Sequence, residues 1–254
     1  MEILRLEGVT VKFGGLVAVN KVDLHMDQGE ILALIGPNGA GKTTLFNLLT
    51  GIYSPTSGTV FYKQQPVNKL KPYERVDLGI ARTFQNIRLI KNMTVLENVL
   101  VAHKGCNSES VWRSMFLTSK TKQQRQNVVA DCMEVLKIVG LDSKIDELAG
   151  NLPYGEQRLL EIARAMATKC RLLLLDEPAA GMNSQEKKQL VDVIRNLSKT
   201  YNVEILIIEH DIRMVMSIAD RVVVLEHGEK IAEGIGPEVQ NNPKVIKAYL
   251  GEDI

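Results

Sequence analysis

Residues 36–43 read Gly36-Pro37-Asn38-Gly39-Ala40-Gly41-Lys42-Thr43, and the five before them, Ile31-Leu32-Ala33-Leu34-Ile35, are all apolar. The stretch satisfies G-x-x-x-x-G-K-[ST]. A fully buried strand is expected over 30–35, then a helix from Lys42 to about Thr50 that Gly51 ends as its C′ residue. Strand, glycine loop and helix in that order form a cradle for phosphate. Glycines let consecutive N–H groups turn inward around phosphate oxygens, and the helix N-terminus adds a dipole that favours negative charge. Lys42 supplies a point charge to β- and γ-phosphates, and the Thr43 hydroxyl is suited to ligating Mg2+.

Two further strand ends carry charge. Arg171-Leu172-Leu173-Leu174-Leu175-Asp176-Glu177-Pro178 reads as a buried strand from whose C-terminal end two carboxylates emerge. Ligands of open α/β sheets sit at that edge. Asp176 suits the water shell of Mg2+, and Glu177 suits a general base that polarises an attacking water. Val203–Ile208 is a similar run, ending in Glu209-His210-Asp211, which places His210 within reach of a γ-phosphate. The other histidines, His25, His103 and His227, lack such context and read as surface or structural.

Outward from these motifs the rhythm is βαβ. Strands are expected at 2–7, 9–13, 21–26 (with Val22, Leu24 and Met26 on one face), 58–63, 79–84, 171–175, 203–208 and 220–226, with a helix at about 184–199. From about Thr94 to Thr168 the pattern is helical, with Val95, Leu96, Val99 and Leu100 on one stripe and Val128, Val129, Met133, Leu136 and Val139 on another. Between them lies a polar stretch, 104–126, whose charge-rich run 119–125 reads as a solvated helix face or a loosely held segment. The expected fold is therefore α/β: a mainly parallel core sheet, an N-terminal antiparallel β subdomain and an inserted α-helical subdomain. Residues 1–85 and 169–254 would form one lobe and 86–168 the insertion.

The chain has 254 residues, 45% apolar and 24% charged, enough for a sizeable core. With 31 basic and 30 acidic residues it has no basic surplus, so no nucleic-acid partner is expected. Met1-Glu2-Ile3-Leu4-Arg5-Leu6-Glu7 alternates like a strand and does not read as a signal peptide. The longest apolar runs fall far short of the roughly 20 residues a spanning helix needs. Any membrane role is thus expected to come through a partner. Cys106, Cys132 and Cys170 are widely spaced and read as free, mostly buried thiols of a cytosolic protein.

Together the motifs resemble the ABC-type ATPase family. Asn151-Leu152-Pro153-Tyr154-Gly155-Glu156-Gln157-Arg158, shortly before the Asp-Glu strand, looks like that family's signature sequence, opening a helix over 156–168. Gln85 matches the Q-loop glutamine, Phe13 the aromatic that stacks on adenine, and 179–183, with Gly181 and Asn183, the D-loop. The resemblance runs essentially end to end. Arg82-Thr83-Phe84-Gln85, Glu177-Pro178-Ala179-Ala180-Gly181 and Asn242-Pro243 with Ala248-Tyr249-Leu250-Gly251 bring it nearest to ATPase subunits of branched-chain amino-acid importers.

The resemblance implies ATP contacts from Phe13, Gly36, Pro37, Asn38, Gly39, Ala40, Gly41, Lys42, Thr43, Thr44 and Gln85. It implies Mg2+ ligation by Thr43, Gln85 and Asp176, and catalysis by Glu177 and His210. Leu152, Pro153, Tyr154, Gly155, Glu156 and Gln157 would face ATP held by a second ATPase subunit, identical or a sister. Two integral membrane permease subunits and, indirectly, an extracytoplasmic binding protein would complete the assembly. The chain would then sit peripherally on the cytoplasmic face of the inner membrane. Pro153 departs from the family's serine and Tyr154 from its first glycine, so a weaker γ-phosphate contact is expected at the signature, and Asn183 stands in the D-loop where many relatives have aspartate. Other cargoes, such as lipopolysaccharide export or urea uptake, share much of the pattern. A soluble ABC ATPase acting on ribosomes or DNA fits less well, because the chain carries one copy of each motif and no heptad arm.

Overall fold

The computed structural model describes residues 1–104 and 119–250. The decisive strand, β3 (Ile31–Ile35), is buried at every position. It pairs in parallel with β8 (Glu204–Ile208) on one side and β9 (Arg221–Glu226) on the other. A continuous apolar run is what a strand covered on both faces requires. β6 (Ile80–Arg82) and β7 (Leu172–Asp176) extend the parallel set beyond β8, and β10 (Glu229–Gly234) closes the far edge antiparallel to β9. The order is β10-β9-β3-β8-β7-β6. A second, antiparallel sheet, ordered β2-β1-β4-β5, contains β1 (Glu2–Phe13), β2 (Leu16–Asp27), β4 (Ser57–Tyr62) and β5 (Gln65–Pro66).

Side chains of a strand alternate between faces, and the six-stranded sheet divides the core accordingly. Leu32, Leu34, Leu174, Leu206, Ile208 and Val223 pack with the antiparallel sheet and α1 (Lys42–Leu49). Ala33, Ile35, Leu173, Leu175, Ile207 and Val222 pack on the opposite side with the helical segments. Those helices are α3 (Val95–Ala102), α4 (Ser119–Ile138), α5 (Tyr154–Ala167), α6 (Ser184–Tyr201) and α7 (Ile212–Ile218), of which α3, α4 and α5 contact one another. The remaining helices are α2 (Pro72–Leu78), α8 (Gly236–Gln240) and α9 (Pro243–Leu250). Among the described residues, none of the strands falls within 86–168.

Local chemistry accounts for the element ends. Thr94 and Glu97 form a reciprocal capping box at the start of α3, and the Asn183 side chain accepts from the Gln185 and Glu186 amides to start α6. Gly51, at φ 77°, follows the last turn of α1 as expected. A buried guanidinium completes that end: Arg75 of α2 donates to the Leu48, Leu49 and Val67 carbonyls. The cation lies where carbonyls at a helix C-terminus concentrate negative potential.

The structure corrects several expectations. The strands expected at 2–7 and 9–13 are one strand, whose register shifts between Leu6 and Val9 around Gly8 at φ 54°. The strand expected at 21–26 begins earlier, at Leu16, and that at 79–84 ends at Arg82. The helix expected over 156–168 runs from Tyr154 to Ala167. Of the stripe expected along α4, Leu136 and, just beyond the helix, Val139 are buried and Val128 packs on the core, whereas Val129 is exposed and Cys132 joins the buried face. The run 119–125 is the beginning of α4. Residues 105–118, with Cys106 and the rest of the polar stretch, lie outside the described residues. Cys132 and Cys170 are both buried. His103 is structural, buried against Asp131.

Glu204, at the start of β8, is fully buried; its Oε1 accepts from the Gly29 amide at 3.4 Å and its Oε2 has no hydrogen-bond partner. Burial pushes its carboxyl above the ordinary carboxylate range. A carboxyl whose folded value lies above its unfolded one holds its proton better in the fold, so stability declines as pH rises through the folded value. Glu204→Gln is expected to raise stability at about pH 8 by on the order of 1 kcal/mol and to flatten this decline. Thermal unfolding followed across the acid-to-neutral range measures it; a decline as steep as that of the parent chain contradicts it.

Candidate functional site

The loop between β3 and α1 is shaped by close backbone contacts. Gly36 has φ 150° and Gly41 φ 96°. A Cβ at Gly36 would fall on the Leu225 carbonyl oxygen, and one at Gly41 on the Ala18 carbonyl oxygen. Both glycines are therefore demanded by packing as well as by phosphate access. The Gly228 amide donates to the Ala40 carbonyl at 3.1 Å, which ties the loop to the β9–β10 turn. Lys42 Nζ donates to the Gly36 and Pro37 carbonyls at 2.7 and 2.8 Å. Burial pulls its ammonium below the usual lysine value, against the opposing charges of Glu177 and Asp176.

Those carboxylates stand at the C-terminal end of β7. Asp176 is buried, and its Oδ2 accepts from Arg82 Nη2 at 2.6 Å. Arg82 Nη1 donates to Asn47 Oδ1 at 2.7 Å, and the guanidinium lies 5.2 Å from the Phe84 ring centroid. Asp176 is thus anchored to α1 and to the end of β6 through one oxygen. Glu177 follows with φ 48°, a left-handed conformation uncommon outside glycine and asparagine. Its two oxygens have different partners: Oε1 pairs with His210 Nε2 at 2.9 Å, and Oε2 accepts from Gln85 Nε2 at 2.9 Å. Three strand ends, those of β6, β7 and β8, therefore meet at one carboxylate.

The turn beyond Glu177 is fixed from beneath by Glu209. This buried carboxylate accepts from the Ala179 amide at 2.7 Å and its neighbour His210's amide at 3.0 Å, and burial raises its pKa. Asn183 ends the turn as the cap of α6. Phe13, 44% exposed at the end of β1, meets Tyr53 edge to face with ring centroids 5.0 Å apart, which leaves an aromatic face open.

Residues 152–157 sit elsewhere. Pro153 is the N-cap of α5 and supplies no side-chain cap. Gln157 donates back to the Leu152 carbonyl, and Glu156 pairs with Lys144 at 2.7 Å. A Cβ at Gly155 would meet Glu186, and one at Gly181 would meet the Tyr154 ring at 3.0 Å. Among the described residues, no hydrogen bond joins 152–157 to 36–43. The structure therefore gathers residues 36–43, Gln85, Asp176, Glu177 and His210 at one sheet edge and places 152–157 beside the 181–186 segment. Arg82, Asn47, Arg158 and Glu209 were not singled out from sequence. For Arg82 and Glu209 the available signal was a charge closing an apolar strand, which is expensive unless paired; Asn47 and Arg158, on helices, offered none.

A metal would find only part of a ligand set here. Among the described residues no three His, Cys, Asp or Glu side chains gather to hold one. The donors present, the Thr43 hydroxyl, Gln85 carbonyl and free Oδ1 of Asp176, are hard oxygens. They fit Mg2+, which commonly binds through one or two carboxylates with substrate phosphates completing its shell.

Residues 19–180 match the ABC transporter family. The chain belongs to that family. Residues 229–254 of the cassette also match the branched-chain amino acid ATP-binding cassette transporter family. The high-affinity branched-chain amino acid transport ATP-binding protein LivG of Escherichia coli (strain K12) is 44% identical over 250 residues, covering 98% of each chain. The ADP conformation of MJ1267, an ATP-binding cassette of an ABC transporter, matches with a TM-score of 0.86 at 34% identity, covering 99% of this chain and 100% of that one. The dimeric structure of MJ0796, a bacterial ABC transporter cassette, matches with a TM-score of 0.72 at 25% identity, covering 91% and 98%. The cassette is an ABC-type ATPase with the P-loop nucleotide-hydrolase fold, as its sequence predicts. Among the described residues no helix is long and apolar enough to cross a membrane.

Proposed function

We propose that this cassette is the ATP-hydrolysing motor subunit of a branched-chain amino-acid importer, acting as a dimer with two composite ATP sites. The observation that carries the hydrolytic reading is the Glu177 carboxylate, held between Gln85 and His210 with Lys42 close enough to feel its charge. ATP would stack its adenine on Phe13 and place its phosphates against the amides of residues 36–44. Lys42 would turn its ammonium from the loop carbonyls to the β- and γ-phosphates. Mg2+, bound with the nucleotide through Thr43, Gln85 and Asp176, would supply charge neutralisation on those phosphates. Glu177 would take the proton of the attacking water. Donation from His210 to the γ-phosphate would free Oε1 for that proton, so the base would respond to the presence of ATP.

The second half of each site would come from residues 152–157 of another copy or of a sister ATPase. Their separation from residues 36–43 within one chain and the dimeric MJ0796 cassette support this reading. At that contact Pro153 offers no hydroxyl, leaving amides at the start of α5 to meet the γ-phosphate. Residues 86–168, as an insertion in a lobe formed by 1–85 and 169–254, would grip two membrane permease subunits. The cassette would then lie peripherally on the cytoplasmic face of the inner membrane, with an extracytoplasmic binding protein engaged indirectly. The likeness to LivG and the match over 229–254 favour branched-chain amino acids over lipopolysaccharide or urea.

Glu177→Gln is expected to lower turnover by about 10²–10⁴-fold while ATP still binds, whereas Lys42→Ala should weaken binding itself. Phosphate release and fluorescent-nucleotide titration separate the two; retained turnover in the first or unchanged affinity in the second removes the corresponding role. Affinity purification from membranes should recover permease subunits, and uptake of labelled leucine should depend on the cassette. Recovery of a ribosomal or DNA-repair partner instead would sink the transport reading.

A further inference from the structure

One face of α5 packs against the loop that follows β6, with Arg158 and Glu161 buried at its centre and Tyr154 exposed at its start. Tyr154, Arg158, Glu161 and Arg164 recur at helical spacing and so share that face. The Arg158 side chain is 4% exposed. Its Nη1 donates to the Phe84 carbonyl at 2.9 Å and faces Glu161 Oε2 at 3.3 Å. Its Nη2 donates to the Gln85 carbonyl and, at 2.9 Å, to the Tyr154 hydroxyl oxygen. Glu161 Oε1 accepts from the Arg88 amide at 2.7 Å, and Arg164 donates to the Arg88 carbonyl. The backbone of 84–88 is therefore held to α5 by a row of side chains with Arg158 at its centre.

Each end of that row reaches a different part of the machinery. Gln85, whose carbonyl Arg158 holds, gives its side-chain amide to Glu177. Tyr154, whose hydroxyl Arg158 also holds, belongs to the 152–157 turn, and its ring packs on Gly181 beyond Glu177. A planar guanidinium fixes several acceptors relative to one another in a way that a single ammonium does not. Displacing the start of α5 must therefore move Gln85 or break a charge-assisted contact.

We propose that Arg158 is a positioning residue that carries the placement of the 152–157 turn to the Gln85–Glu177 pair of its own subunit. The inference rests on the composite-site reading above. There, residues 152–157 touch the partner's ATP, while Gln85 and Glu177 act on the subunit's own. Arg158 then joins the two ATP sites of the dimer through a path lying entirely within one chain. Tyr154, the residue that departs from the family's glycine, supplies the hydroxyl through which the turn engages that path.

The test uses the full-length chain, with Tyr154→Phe, Arg158→Lys and the double variant compared by steady-state hydrolysis over a range of ATP concentrations. Arg158→Lys is expected to lower kcat about tenfold and Tyr154→Phe about threefold, with KM within about twofold of the parent value in both. The Hill coefficient should fall toward unity in both. The double variant should match Arg158→Lys alone, because the hydroxyl acts through the guanidinium. Parent-like kcat and cooperativity in Arg158→Lys, or losses that multiply in the double variant, overturn the inference. If Arg158→Lys does not fold, Tyr154→Phe decides, since it deletes a single oxygen; unchanged kcat and Hill coefficient then overturn it. Glu177→Gln, assayed alongside, separates the two levels. Retained turnover there would bring down the catalytic reading itself, whereas its loss beside a parent-like Arg158→Lys would bring down only the role of Arg158.

Discussion

Burial of β3 between β8 and β9 is the constraint on which the rest of this cassette depends. Five apolar residues, closed on both faces and both edges, leave the chain a single exit at the carboxyl end of the sheet. There Gly36 passes so close to the Leu225 carbonyl that no side chain fits. The loop of 36–43 is thereby formed by packing, and α1 follows with its unpaired amides facing the same edge. The parallel arrangement brings the ends of β6, β7 and β8 to that edge also, so Gln85, Glu177 and His210 meet although they are far apart in sequence.

Much of this was legible in the residues alone. Continuous apolar runs gave the parallel strands, and the charged residues closing them, Asp176, Glu177 and His210, gave the functional edge. Gly51 marked a helix end because its chemistry is local. Legibility failed where a residue's role depends on distant chain. Gly8 hides a register shift inside one strand, which period-2 patterning reads as a break. Along α4 the stripe was right at Val128, Leu136 and Val139 but left out Cys132, which is buried, and included Val129, which is not. Short helices such as α2, α7 and α8 carry too few turns for a periodic signal.

The least legible feature was a set of buried guanidiniums. Arg75, Arg82 and Arg158 are all nearly inaccessible, and each fastens one segment to the carbonyls or carboxylate of another. Arg75 closes the end of α1, Arg82 orients Asp176 against Asn47, and Arg158 ties α5 to the Gln85 loop. Arginine suits this work because its fork satisfies several acceptors at once while remaining charged. From sequence, Arg82 and Arg158 stood only as members of larger motifs, and nothing in the local pattern pointed to Arg75. The structure makes them the joints between the sheet edge proposed to do the chemistry and the helices that would sense a partner.

The central claim is that the loop of 36–43 is half of a site completed by residues 152–157 of a second subunit. Sedimentation velocity of the Glu177→Gln chain tests this most directly, with saturating ATP and Mg2+ compared against ADP and Mg2+. The account predicts a dimer with ATP and a monomer with ADP, because on this reading the γ-phosphate is what bridges the two halves. A chain that binds ATP fully and still sediments as a monomer would contradict it.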